Sequence, residues 1–182
     1  MKRISILLAL LSGLALSAHA AEFPTAPDWT LQNAAGEAVS LDSISQQRPV
    51  VLFFWATWCP YCKALMPHLQ SISYQHGDSV EIVSIQVFDD GDAAAYLADN
   101  GYDFSLLLNG DEVAEMYGVS GTPGVLLIDM QKRIRFDRNK APRLELPFDE
   151  EEAGHRKKAA HRAPFWAAQL RSSLEDVLAE QN

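Results

Sequence analysis

Short apolar runs alternate with helix-like segments along most of this chain. The run Val50–Ala56 is apolar almost throughout, which is typical of a strand covered on both faces, as in a parallel sheet. Turn-like residues between two short segments near the start predict a hairpin. The complete set of predicted strands is Trp29–Gln32, Ala38–Leu41, Val50–Ala56, Val80–Phe88, Phe104–Leu108, and a closing hairpin of Val125–Asp129 and Arg133–Asp137.

Helical patterns fill the gaps between these strands. The predicted helices are Cys59–Gln75, Gly91–Asn100 and Asp111–Tyr117. Pro60 suits the first turn of the first helix, where a missing N–H costs nothing, and Pro67 should kink it. Asp111 is the expected N-cap of the third helix, and Gly118 is its expected end.

The last third of the chain begins with a polar stretch. Residues 138–163 are highly charged and predict a solvated loop or the edge of a lid. Pro164 is expected to open a final helix over residues 164–180, whose apolar face comprises Trp166, Leu170, Leu174, Val177 and Leu178. We expect this face to dock on the sheet. The order of elements therefore predicts an α/β fold with helices on both faces of a mixed central sheet.

The first twenty residues have the pattern of a secretory signal peptide. Lys2 and Arg3 precede an apolar run over residues 4–16, and Ala-His-Ala at 18–20 matches a cleavage site. The apolar run is shorter than the roughly 20 residues of a membrane-spanning helix. We therefore favour cleavage over an uncleaved tether, and expect a periplasmic domain of residues 21–182 without a membrane anchor.

Size and charge limit the possible functions. Removal of residues 1–20 leaves 162 of the 182 residues, enough for one domain, and changes the formal charge from −9 to −11. An acidic surface argues against nucleic acid as a partner, because phosphate backbones are bound by Lys and Arg.

Two cysteines, Cys59 and Cys62, lie at the predicted junction of a strand and a helix, and the chain has no others. Exported proteins that depend on disulfides normally contain several pairs, and a disulfide closing so short a loop stabilises little. A reactive dithiol is therefore favoured over a structural disulfide. A zinc site would need further ligands, and the histidines show no tight pairing pattern: His68, His76, His155 and His161.

The position of Cys59 predicts a nucleophile. A helix N-terminus favours an anion, and the thiolate is the reactive form of cysteine. Lys63 is either a further positive charge near this sulfur or plain helix surface. Cys62 lies one turn deeper, so Cys59 is expected to attack a disulfide and Cys62 to resolve the mixed disulfide.

Three segments resemble extracytoplasmic thioredoxin-fold proteins of the TlpA/ResA/CcmG type. They comprise residues 26–31 with Gly36 and 39–41; residues 54–63 (Phe-Trp-Ala-Thr-Trp-Cys-Pro-Tyr-Cys-Lys) with Met66-Pro67; and residues 117–123 (Tyr-Gly-Val-Ser-Gly-Thr-Pro) with 126–129. The resemblance implies a thioredoxin fold with an N-terminal hairpin and an inserted helix–strand unit at about 91–108.

The resemblance also implies roles for residues around the dithiol. It implies a cis Thr122–Pro123 bond beside the cysteines, with Pro123 bordering the substrate and the Thr122 backbone bonding to it. Pro60, between the cysteines, is expected to help set the redox potential. Trp58 and Tyr61 are candidates for an apolar rim that receives a protein substrate, and packing is an equal alternative for Trp58.

Two positions depart from the family pattern. Thioredoxins carry an aspartate where this chain has Phe53, and ResA-like proteins carry a glutamate where it has Leu65. The proton acceptor for the second thiol is therefore not identified. Glu81 and Asp89 are candidates, although solvated carboxylates are the simpler interpretation of both.

We therefore expect a periplasmic thiol–disulfide oxidoreductase that needs no cofactor or metal. Its expected partners are cysteine-containing exported proteins and an upstream membrane thiol–disulfide donor, with reduction favoured because TlpA-like proteins mostly act as reductases. The alternatives are a disulfide donor or isomerase, and a redox-sensing binding module. A thiol peroxidase is disfavoured, because Cys59 lies outside a T-x-x-C setting and no arginine is evident near it.

Overall fold

A computed structural model describes residues 23–181, so the predicted signal peptide lies outside the described residues. The described part contains a short 3-10 helix, Gly77–Ser79, and the following elements: β1 Thr30–Asn33, β2 Ala38–Ser40, α1 Leu41–Ser45, β3 Val50–Trp55, α2 Pro60–His76, β4 Glu81–Gln86, α3 Ala93–Asn100, β5 Ser105–Leu108, α4 Asp111–Met116, β6 Gly124–Ile128, β7 Ile134–Asp137 and α5 His155–Ala179. Within residues 23–181, no helix is both long and apolar enough to cross a bilayer.

The strands form one mixed sheet in the order β2-β1-β5-β4-β3-β6-β7. Strands β3, β4 and β5 are parallel, and antiparallel strands flank them on both sides. The predicted α/β fold is confirmed. The inserted unit that the resemblance implied is also present, since α3 leads into β5, which lies between β4 and β1.

Strand β3 is the centre of the molecule, and all six of its residues are buried. Phe53 and Trp55 point into one core, which includes residues of α2 and α5. Phe54 points into a second core on the opposite face, with residues of α4 and the N-terminal segment. Cover on both faces explains the apolar run in the sequence. The end of β3 is consequently a rigid platform for the residues that follow it.

Helix α5 differs from its prediction. It begins at His155, and Pro164 lies inside it, so the charged loop covers residues 138–154 and not 138–163. Ala159, Ala163 and Ala167 are each about 1% exposed. Their spacing of four residues extends the buried face of the helix towards its N-terminus. The charged residues 156–158 before Ala159, and Arg162 before Ala163, concealed that face in the sequence.

Two smaller predictions about helices also need correction. Helix α1 was not predicted; Ser40 caps it by accepting a hydrogen bond from the Ser43 N–H. Gly110, not Asp111, is the N-cap of α4. The Asp111 carboxylate instead accepts a hydrogen bond of 2.9 Å from the backbone N–H of Phe88.

A buried carboxylate ties the closing hairpin together. Asp129 is 1% exposed and accepts hydrogen bonds from Arg133 Nε at 2.6 Å and Arg135 Nη1 at 3.3 Å. The backbone N–H groups of Gln131 and Arg133 satisfy its second oxygen. Arg135 also contacts Glu180, so this cluster joins the hairpin to the end of α5.

We predict that Asp129→Ala lowers the free energy of unfolding by about 3 kcal/mol, because it leaves buried donors and an arginine without their partner. Asp78→Ala is the matched control. Its carboxylate is fully exposed and lies 3.7 Å from Arg48, so its loss should lower the stability far less than the loss of Asp129. Denaturant midpoints compare the two variants, and equal losses would contradict the structural role of Asp129.

Candidate active site

The two cysteines face each other across the first turn of α2. Cys59 is the N-cap residue, and its sulfur accepts a hydrogen bond of 3.2 Å from the backbone N–H of Cys62. Pro60 occupies the first turn and has no N–H to satisfy. A sulfur takes the position usually held by a Ser or Asp oxygen, where unpaired N–H groups and the helix dipole favour negative charge.

Cys59 is set up to be a thiolate. A hydrogen bond from the Cys62 side chain is the largest reason why the pKa of Cys59 is lowered to about 6. Burial acts in the opposite direction, and smaller contributions from Thr122 and from the backbone of Cys62 and Tyr61 lower the pKa further. Since only the thiolate attacks disulfides, Cys59 is reactive at neutral pH.

Both cysteines are buried, Cys59 at 2% exposure, but the environment of Cys62 shifts its pKa in the opposite direction. Cys62 is fully buried, and burial is the main reason why its pKa is raised above the usual value. The hydrogen bond and the charge of Cys59 add to this effect. Both cysteines are free thiols in the structure. The pair therefore holds one proton between two sulfurs at neutral pH, with the negative charge on Cys59.

The segment before β6 closes the site from the other side. The Thr122–Pro123 bond is cis, as the resemblance implied. The Cys59 sulfur lies 3.6 Å from the Thr122 carbonyl oxygen. The Thr122 hydroxyl is also buried at this site, and its interaction with Cys59 contributes to the lowered pKa of that thiol. These contacts bring Thr122 and Pro123 to the dithiol, although they are about sixty residues away in sequence.

The two aromatic candidates lie in different environments. Trp58 is 61% exposed, and its indole N–H donates to the Phe88 carbonyl at 3.2 Å. Phe88 is itself 40% exposed, so the pair forms an apolar surface next to Cys59. Tyr61 turns the other way, with its ring 6.1 Å from Trp166 and its hydroxyl 3.3 Å from His155 Nδ1. Trp58 is therefore placed where it can contact a protein substrate, whereas Tyr61 anchors helix α5.

Lys63 lies against Tyr96, whereas the sequence suggested a position near the Cys59 sulfur. Its ammonium group is 4.9 Å from the centre of the Tyr96 ring. A cation over an aromatic face is a stabilising arrangement in its own right. Assistance to Cys59 by Lys63 stays a prediction.

The family's two carboxylate positions are apolar in this chain. Phe53 and Leu65 are buried in the same core as Cys62. Glu81 contacts Arg48 and Ser105, beside residue 50 at the start of β3, whereas the dithiol follows the end of that strand. Asp89 accepts the Thr57 N–H at 2.5 Å and supports the loop before Cys59. No group of His, Cys, Asp and Glu within residues 23–181 has the arrangement of a metal site.

Arg138 is the charged residue at this site that the sequence did not reveal. Its backbone N–H donates to the Val125 carbonyl at 3.0 Å, two residues after Pro123. Burial lowers the pKa of Arg138, whereas the charges of Asp137 and of both cysteines act to raise it. The charge of Arg138 therefore interacts with both cysteines, which the sequence did not indicate. Its sequence signal was faint: Arg138 directly follows a predicted strand, at the start of the charged stretch.

We predict that the thiolate absorbance of the reduced protein titrates with a midpoint near pH 6. Below that pH Cys59 is protonated, so its alkylation rate falls as pH decreases. Cys62→Ala removes the thiol donor and should raise the midpoint by more than about one unit towards 8.5. Cys62→Ser retains a hydroxyl donor, so its titration midpoint should lie between those of the wild type and Cys62→Ala. Equal midpoints in the wild type and both variants would contradict the role of Cys62.

Comparisons with known proteins agree with this geometry. The AhpC/TSA family matches residues 24–137. "Thiol-disulfide oxidoreductase ResA" of Bacillus subtilis is 30% identical over 145 residues, which cover 72% of this chain and 80% of that protein. "Thiol:disulfide interchange protein DsbE" of Escherichia coli is 35% identical over 104 residues, which cover 56% of this chain and 55% of DsbE. This chain therefore matches only about half of DsbE.

A solved structure supports the fold. The crystal structure of a putative DsbE from Chlorobium tepidum superposes with a TM-score of 0.57 at 24% identity, covering 80% of this chain and 96% of that one. The resemblance stated from the sequence is confirmed: this chain belongs to the AhpC/TSA family and is related to ResA- and DsbE-type thioredoxin-fold proteins.

Proposed function

We propose that this protein is a thiol–disulfide oxidoreductase that works in the periplasm on cysteines of exported proteins. The observation that carries the proposal is the asymmetric dithiol. Cys59 has a pKa of about 6 at a helix N-terminus, and Cys62 is buried with a raised pKa. A nucleophile that is ionised, next to a thiol held in reserve, is what disulfide exchange requires.

The exchange proceeds in two displacements. The Cys59 thiolate attacks one sulfur of a substrate disulfide, forms a mixed disulfide, and releases the other substrate sulfur as a thiolate. Loss of the Cys59 charge removes one cause of the raised pKa of Cys62. Cys62 then gives up its proton, for which the released substrate thiolate is a base, and attacks Cys59, which releases the second substrate thiolate. Two electrons pass from the dithiol to the substrate, and a Cys59–Cys62 disulfide remains.

Residues around Cys59 suit an extended substrate segment. Thr122 contacts the Cys59 sulfur and is followed by Pro123, and Trp58, which is exposed and bonded to Phe88, directly precedes Cys59 in the chain. We propose that the Thr122 backbone bonds to the substrate main chain and that Trp58 contacts its apolar side chains. Pro60 holds the first turn of α2, which keeps the two sulfurs in register.

The proposed direction is reduction. The pKa of Cys59, about 6, lies closer to the value of about 7 in thioredoxin than to about 3.5 in DsbA. The reduced state is consequently less stabilised than in a strong oxidant. A reductase must be reduced again after each cycle, and an upstream membrane thiol–disulfide donor would supply those electrons.

A thiol peroxidase is less well supported. Arg138 beside the cysteines removes one objection to it. Cys59 still lies in a C-x-x-C and not in a T-x-x-C setting, with a resolving thiol one turn away. Disulfide exchange therefore remains the function that the geometry favours.

We predict that Cys62→Ser accumulates mixed disulfides with exported proteins, because Cys59 can still attack and nothing resolves the product. Non-reducing electrophoresis of cell extracts, followed by mass spectrometry, identifies the trapped cysteines. The Cys59→Ser and Cys62→Ser double variant is the control and should trap none. Absence of adducts on Cys62→Ser would indicate a binding module that does not turn over.

The direction has its own test. We predict a reduction potential of the Cys59–Cys62 pair nearer to about −270 mV than to about −120 mV. Equilibration of the protein with glutathione or dithiothreitol buffers measures it. A value near about −120 mV would contradict the reductase function and favour a disulfide donor.

A further inference from the structure

A cavity of about 450 Å³ lies in the part of the protein beyond the family match. The first residues after β7 form one wall, and the first half of α5 forms the other. Its polar and aromatic lining consists of Arg138, Asn139, Arg143, Glu150, Arg162 and Trp166. We call this site the arginine cavity. Three guanidinium groups and one carboxylate give it a positive balance, in a chain whose formal charge is −9.

The arginine cavity adjoins the dithiol. Arg138 interacts electrostatically with both Cys59 and Cys62. Its guanidinium group also lies 4.8 Å from the Trp166 ring. Trp166 in turn packs on Tyr61, the residue between the two cysteines in the sequence. A substrate held at Cys59 would therefore have its neighbouring residues within reach of the cavity.

The guanidinium groups retain unused hydrogen-bonding capacity. Arg138 Nε is buried and has no hydrogen-bond partner within residues 23–181. Arg143 is exposed, with no hydrogen bond or ion pair inside the same range. A buried donor without a partner is costly unless a bound group satisfies it. The Arg138 Nη2 donates to Asn139, so the donors that favour an anionic ligand at this cavity are the remaining ones of Arg138 and those of the exposed Arg143.

The chain itself shows which anion fits. The Glu150 carboxylate lies in the cavity and forms an ion pair with Arg162. Arginine recognises carboxylates through paired N–H groups that match the two oxygens. A carboxylate from a second molecule would meet guanidinium groups of the same chemistry at Arg138 and Arg143.

We propose that the arginine cavity binds an acidic segment of the protein substrate, next to the cysteine that Cys59 attacks. The inference rests on the proposed exchange function and adds a substrate class to it. Carboxylates near the target cysteine would be held while Cys59 forms the mixed disulfide, and they would leave with the reduced substrate. Because the chain carries a net negative charge, a positive cavity would also orient such a substrate.

The test compares three symmetric peptide disulfides that differ only at the residues flanking cysteine, which are Glu, Gln or Lys. The reduced protein at low ionic strength should reduce the Glu peptide about fivefold faster than the Gln peptide, and the Lys peptide more slowly than either. Rapid quenching and mass spectrometry give the rates. A Glu-to-Gln ratio near one would overturn the proposal.

Two variants with the same charge change separate the cavity from net charge. Arg143→Glu should abolish or reverse the preference for Glu, and its exposed position favours normal folding. Arg171→Glu is the control, because Arg171 lies on α5 and bonds to Gln75, outside the cavity. It should leave the ratio unchanged. Equal shifts in both variants would assign the preference to general electrostatics and overturn the proposal.

A third variant should act in the opposite direction. Glu150→Gln frees Arg162 from its internal partner, so the Glu-to-Gln ratio should rise by about twofold or more. An unchanged or lower ratio would show that Glu150 does not compete for the site, against the proposal.

Binding of the same peptides with Ser in place of Cys tests the cavity without any exchange. Tighter binding of the Glu peptide, lost in Arg143→Glu, supports the cavity even if no peptide disulfide is reduced. Reduction of all three peptides at equal rates, with equal binding, overturns the cavity and leaves the exchange function intact.

Discussion

The hydrogen bond from the Cys62 backbone N–H to the Cys59 sulfur is the interaction on which this site depends. It fixes one sulfur at the N-terminus of α2, and the helix carries the other into the core. The position is rigid because β3, which precedes it, is buried on both faces. The same two sulfurs then become chemically different, since one is stabilised as an anion and the other is kept protonated by burial.

The rest of the site is assembled from distant parts of the chain around this turn. Thr122 and Pro123 approach Cys59 from the start of β6. Asp89 supports the preceding loop through Thr57. Helix α5 contributes Trp166, whose ring packs on Tyr61. Arg138 also lies against the Trp166 ring. The family's common core thus supplies the dithiol, while residues beyond its match supply the adjacent positive surface.

Much of the fold could be predicted from the sequence, because central strands and capped helices leave local signals. The apolar run of β3, Gly118 after α4 and the dithiol junction are examples. The early start of α5 could not be predicted, because the first buried residues of the helix are alanines that follow charged residues. Arg138 was missed for a related reason: its neighbours are set by the pairing of β6 with β7 and by the docking of α5. Such contacts have no signature at the level of residue spacing.

Selective alkylation is the most direct measurement of the central claim. The reduced protein is treated briefly with iodoacetamide at neutral pH, and the modified cysteine is located by peptide mass spectrometry. The asymmetric dithiol predicts rapid modification of Cys59 while Cys62 stays protected in the native state. Faster modification of Cys62, or a Cys59 that is inert until the protein unfolds, would contradict it.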